Sequence, residues 1–155
     1  MSDNQSITPL KMLLFCFHAT NTIILSYLPL YLEYKSLTAT EIGWVLAVGP
    51  LASIFAQPFW GYLSDKHKTV KVMIQICLVG LLISSTLFFQ MNTLITIILM
   101  GAVFYFFTSP IGALGDSLAQ RRSEDLGISF GTIRMWGSIG FATSSLIVGE
   151  VLTRV

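Results

Sequence analysis

Two ionisable side chains stand where a chain of this composition should hold none. Asp116 follows a stretch from Val72 to Gly115 without a single Asp, Glu, Lys or Arg, and Arg134 is the only such residue between Ile128 and Gly149. A charge deep in a bilayer costs at least ~2.5–3.5 kcal/mol on insertion scales, so each needs a partner or a wet cavity. If Asp125 is taken as the centre of the polar segment between them, Asp116 lies nine residues before it and Arg134 nine after. Residues equidistant from the turn of an antiparallel helical pair reach similar depth, so the two can face each other. The chemistry open to Arg134 is recognition: its planar fork donates several hydrogen bonds at once, to a hydroxyl or a carboxylate. Ser138, Phe141 and Ser145 share its helical stripe, and a cation, a hydroxyl and an aromatic face together suit a polar solute. His18 and Asn21, with Thr22, Ser26 and Pro29, form a second polar stripe near the N-terminus. Two uses stay open at this point. The charges form a structural pair, with Arg134 snorkelling to the interface and the other stripe serving as interhelical glue, or they line a solute pathway.

The elements that carry these residues are membrane spans. Hydrophobic residues make up 54% of the 155 and charged ones 11%, well below the roughly 25% of a soluble domain. Mean hydropathy is +0.73. Uncharged runs flank a basic segment, Gly61 to Lys71, which holds Lys66, Lys68 and Lys71. About twenty residues at ~1.5 Å rise cross a hydrocarbon core of ~30 Å. Five spans are predicted, over residues 10–32, 41–62, 70–90, 93–119 and 128–152. The polar start of the chain, with Asp3, lacks the basic region of a cleavable signal, so the first run is expected to be retained. Thr40 and Glu41 read as the cap and first turn of span two. Gly43, Ala47, Pro50 and Gly61 share a side of that span where another helix could approach. Ser84, Ser85 and Thr86 bond back to their own helix. Lys11, Lys66, Lys68, Lys71, Arg121 and Arg122 fall on one side of the membrane, against Lys35 and Arg154 on the other. The side richer in basic residues is cytoplasmic, which puts the N-terminus in the cytoplasm of a multi-pass cell-membrane protein.

Other function classes find little support. The net charge of +1 gives no case for nucleic acid. Cys16 and Cys77 stand in apolar runs and read as buried small hydrophobes, with no metal-site spacing. No metal-protease motif, Ser/His/Asp arrangement or paired carboxylate suggests an enzyme, and no cofactor or metal is called for.

The basic segment resembles the signature between helices two and three of the major facilitator superfamily, a Gly-x-Leu-x-Asp-basic pattern carried here by Gly61, Leu63, Asp65 and Lys66. Lys68 stands where that family usually has glycine, and Thr69 where it has Arg or Lys. Within the superfamily the segments Gln57–Lys66 and Phe130–Phe141 resemble helices two and five of the lactose permease-like sugar and nucleoside proton symporters. Those proteins carry a carboxylate on helix four and an arginine on helix five at this same separation, and the arginine contacts the sugar. The carboxylate there is Glu, and the sugar-stacking Trp position holds Phe141 here. The resemblance implies that Arg134 binds substrate with Asp116 as its partner, and that Gly61, Asp65 and Lys66 belong to a gating segment. It covers nearly all of the chain but less than one of the two six-helix halves of the family fold.

The expected protein is all-α, a polytopic membrane helix bundle: five transmembrane helices of a truncated N-terminal domain of the major-facilitator type, over residues 1–155. The expected activity of the parent protein is proton-coupled symport of a small polar organic solute such as a sugar or nucleoside. Its partners would be that solute, protons, the lipid bilayer, and a missing C-terminal half or a complementing chain, without which the chain is expected to be inactive. The alternative is a non-transporting helical scaffold or subunit that packs on others through span two.

Overall fold

The computed structural model describes residues 7–152. The N-terminal residues around Asp3, and Arg154, lie outside the described residues. The described residues are 90% helical, in five helices: α1 (Thr8–Tyr34), α2 (Ala39–His67), α3 (Val70–Phe88), α4 (Leu94–Leu126) and α5 (Phe130–Leu152). All five are long and apolar enough to cross a membrane. A helix meets most of its backbone hydrogen bonds internally, as a segment in lipid requires; Pro29 in α1, Pro50 and Pro58 in α2 and Pro110 in α4 each remove one such donor.

The helices outrun the spans predicted for them where the sequence turns polar. Residues 63–67, expected in a loop, continue α2, and only Lys68 and Thr69 separate α2 from α3. Residues 120–126 likewise continue α4. The reason is that polar side chains end the lipid-facing stretch and not the helix. Gln120 donates to Glu124 at 2.6 Å, and Arg122 lies 3.9 Å from Asp125; both spacings fit helical turns in water. What stops the helices is backbone geometry. Lys68 adopts the left-handed conformation at φ 53°, and Gly127 does so at φ 63°. The start of α2 also differs from expectation. Thr38, not Thr40, is the cap: its hydroxyl accepts from the Glu41 backbone N–H while the Glu41 carboxylate accepts from the Thr38 N–H, a reciprocal capping box.

The chain divides into two compact units. One joins the described residues up to Tyr27 with those from Gly115 onward. Its core is Leu10 and Leu14 of α1, Ala119 of α4 and Ile133 of α5. Here α5 presents a buried face of Ile133, Gly137, Gly140, Ser144 and Val148. Gly140 has no room for a side chain, because a Cβ would overlap the Phe15 carbonyl of α1. The Ser144 hydroxyl donates to the Ala19 carbonyl at 2.9 Å. Close backbone approach at small residues, with an interhelical hydrogen bond, is how helices associate without a hydrophobic drive from water. Cys16 is exposed on this part of α1, contrary to the buried position expected for it; Cys77 of α3 is buried.

The second unit, Leu28–Leu114, packs through rings. Trp60 of α2 lies 6.0 and 5.9 Å, centroid to centroid, from Phe106 and Phe107 of α4. Tyr105 fills the space over Gly49, and Phe107 that over Gly80. The buried face of α2 is Val45, Gly49, Ala56, Trp60 and Ser64. The small-residue side expected to receive a neighbour is not that face: nothing lies within 4 Å of a Cβ placed on Gly43 or Gly61. Tyr31 donates to the Phe89 carbonyl at 3.1 Å, and Lys35 to the Asn92 amide oxygen at 2.6 Å, tying the end of α1 to the α3–α4 turn. Ser84, Ser85 and Thr86 bond to carbonyls of α3 itself.

Candidate functional site

The charged pair inferred from spacing forms. Arg134 Nε lies 2.8 Å from Asp116 Oδ1, with the side chains 31% and 39% exposed respectively. The contact is ionic more than hydrogen-bonded: Oδ1 is buried, yet accepts no hydrogen bond of good geometry. Asp116 therefore holds the guanidinium at its neck. The fork beyond is aimed elsewhere, because a Cβ on Gly137 would stand 2.6 Å from Arg134 Nη1. The same point is 3.3 Å from the His18 ring. Gly137 thus opens the space in which the guanidinium of α5 and the imidazole of α1 come near each other. A side chain at 137 would close it.

His18 is held from behind. Its Nδ1 lies 3.1 Å from the Leu14 carbonyl, which can only accept, so Nδ1 carries a proton and, in the neutral ring, Nε2 is the acceptor. Phe17 meets the ring edge-on at 5.4 Å. Thr22 is buried and donates to the His18 carbonyl at 2.9 Å. Asn21, one turn along α1, is half-buried. The cluster therefore offers guanidinium donors, an imidazole acceptor and a carboxylate within one packed unit. Such a set can orient hydroxyls or an acidic group; it holds no nucleophile.

The structure does not bring every expected residue to this cluster. Ser138 and Phe141 lie beside the buried face of α5 and are exposed, Phe141 to 46%. Neither makes a hydrogen bond or ring contact among the described residues. The residues expected to form a gate belong to the other unit, on the last turns of α2. Gly61 faces open space, Asp65 is exposed, and Lys66 places its Nζ 5.9 Å from the centroid of the Tyr62 ring. The residues that sequence reasoning passed over are Gly137 and Gly140. Their signal was present as the spacing Gly137, Gly140, Ser144, one small residue per turn of α5. Among the described residues no group of His, Cys, Asp and Glu is arranged to hold a metal.

Five apolar helices with a partly exposed ion pair inside two of them define a multi-pass membrane protein. The chain belongs to the MFS_1 like family of the major facilitator superfamily, whose profile matches residues 7–155. It is 32% identical to an uncharacterized transporter of Bacillus subtilis, YwbF, over 92% of this chain and 36% of that protein. It is 29% identical to the maltose permease of Geobacillus stearothermophilus, over 89% of this chain and 34% of the permease. It is 28% identical to the lactose permease of Citrobacter freundii, over 82% of this chain and 32% of that protein. The chain thus spans about a third of the length of the curated relatives it matches. These relatives are named as transporters and permeases, not as enzymes. No solved structure matches the chain.

Proposed function

We propose that this chain supplies the first five spans of a secondary active transporter that moves a small polar organic solute, a sugar or a nucleoside, together with protons. The observation that carries the reading is the cluster of Asp116, Arg134 and His18, a set of hydrogen-bonding groups inside apolar helices. Intramembrane ionisable groups of this kind mark solute and ion pathways. In this reading Asp116 fixes the guanidinium through Nε, the Nη groups of Arg134 donate to solute hydroxyls, and His18 Nε2 accepts from one. Asn21, Ser138 and Phe141 complete the wall as solute enters. The names of the maltose and lactose permeases support a sugar.

Transport requires one bundle to rock against another around the site. Further spans, from the same polypeptide or a second chain, therefore complete the machine. The basic end of α2, with Gly61, Asp65 and Lys66, is the proposed gate, on the cytoplasmic side of the cell membrane together with the N-terminus.

The test is equilibrium binding of radiolabelled maltose, lactose and uridine to the whole transporter, followed by uptake into vesicles with and without an inward proton gradient. Saturable binding of one solute, uptake accelerated by the gradient, and loss of binding in Arg134→Lys are expected, since an ammonium cannot reproduce the fork. Full binding in Arg134→Lys would remove Arg134 from the site. Uptake indifferent to the gradient would refute proton coupling.

A further inference from the structure

An open apolar surface lies on α3, in the unit that does not hold the ion pair. Lys68 and Lys71 are exposed at the start of this helix, and among the described residues neither side chain has an ion-pair or hydrogen-bond partner. Directly beyond them an open apolar groove of about 440 Å³ runs along α3 from Val72 to Ile83, with Phe107 of α4 against it. Gly80 admits the Phe107 ring as part of the groove wall, because the ring lies where a Cβ would be. Val72, Ile76, Val79 and Ile83 are all more than two-fifths exposed along it. Gln75 is the one polar side chain in the lining, and it stands one turn beyond Lys71.

The order along the helix is cations, then an amide, then hydrocarbon. Val72 to Ile83 covers about 16 Å at ~1.5 Å per residue, close to half of a ~30 Å hydrocarbon core. The groove is therefore as deep as one leaflet, and it starts at the helix end with the basic side chains.

We infer that this groove binds an anionic glycerophospholipid. The phosphate sits between Lys68 and Lys71, an ester carbonyl accepts from the Gln75 amide, and one acyl chain lies along Val72, Ile76, Val79 and Ile83. A headgroup of negative charge joined to an acyl chain has the same sequence of chemistries as the surface. Basic residues at the end of a span attract anionic lipid, by about fivefold in affinity per lysine. An apolar protein helix in the groove would leave the two lysines and Gln75 unanswered.

The test equilibrates the whole transporter, purified in detergent, with phosphatidylglycerol or with phosphatidylcholine of the same acyl chains, and counts retained lipid by native mass spectrometry. Phosphatidylglycerol is expected to be retained at least tenfold better. Lys68→Gln and Lys71→Gln should each weaken it about fivefold and leave phosphatidylcholine unchanged. Val79→Trp, which fills the groove from its exposed rim, should reduce retention of both lipids; Ile83→Trp does the same at the deep end, and far-UV circular dichroism verifies that the variants are helical. Equal retention of the two lipids overturns the inference, as does phosphatidylglycerol retention that neither tryptophan reduces. Self-association abolished by Val79→Trp, with lipid retention intact, would assign the groove to a second copy instead.

Discussion

The two units of this protein pack by different means. In the unit built from α5, the start of α1 and the end of α4, two backbones meet at Gly140 and Phe15, and a hydroxyl crosses from Ser144 to Ala19. In the unit built from α2, α3 and the first part of α4, rings fill the gaps: Tyr105 over Gly49, Phe107 over Gly80, Trp60 against Phe106. The first arrangement has backbone against backbone and little freedom to give. The second places the flat ends of side chains against glycine and can yield by a small ring rotation. The polar cluster belongs to the first unit, and the solute site proposed there would need its guanidinium and imidazole held at a fixed separation.

That contrast can be broken at its two glycines. Gly140→Ala drives a Cβ into the Phe15 carbonyl, and destabilisation of about 3 kcal/mol or more is expected, at or beyond the upper range for overpacking. Gly49→Ala brings a Cβ to 2.9 Å from the Tyr105 ring, which can turn aside, so a loss of about 1 kcal/mol is expected. Thermal unfolding in detergent and abundance in membranes measure both. Equal effects would mean that the two units are equally stiff.

A stabilising change is expected at the α2–α3 turn. Lys68 holds φ 53°, a region that a side-chain-bearing residue enters at a cost of about 1–2 kcal/mol. Lys68→Gly should raise stability by about 1 kcal/mol by the same melting measurement. It should also weaken retention of anionic lipid, since the cation is lost. The smallest effect is expected at Ser144. Its hydrogen bond joins two helices in lipid, where such bonds average ~0.6 kcal/mol, so Ser144→Ala should lower the melting midpoint only slightly.

Much of this was legible in the sequence, for unequal reasons. The five helices could be read because uncharged runs of that length have few alternatives in a bilayer. The pairing of Asp116 with Arg134 could be read because two lone charges need each other, although the geometric premise was inexact. The break between α4 and α5 is at residues 127–129, later than Asp125, so the pair is not symmetric about it and forms through the reach of the arginine side chain. Polarity marks the end of the lipid-facing stretch and not the end of a helix, which the left-handed turns at Lys68 and Gly127 decide. The lysine at 68 hid its turn; a glycine there, as the superfamily pattern has it, would have announced it. The His18 side of the cluster was visible only as a polar stripe. Which of its residues meets Arg134 depends on the absence of a side chain at Gly137, a tertiary fact.

The central claim is that Arg134 binds solute and is more than the counter-ion of Asp116. The direct measurement compares Asp116→Asn, Arg134→Gln and the double variant in the whole transporter, by membrane abundance and by affinity for the solute that the binding panel identifies. Each single change leaves one uncompensated charge and should lower abundance, by less than the ~3–5 kcal/mol of a fully buried pair because both side chains are partly exposed. The double variant removes both charges and should recover abundance while solute affinity stays at least tenfold below wild type. Recovery of affinity along with abundance would contradict the claim and leave Asp116 and Arg134 as a structural ion pair.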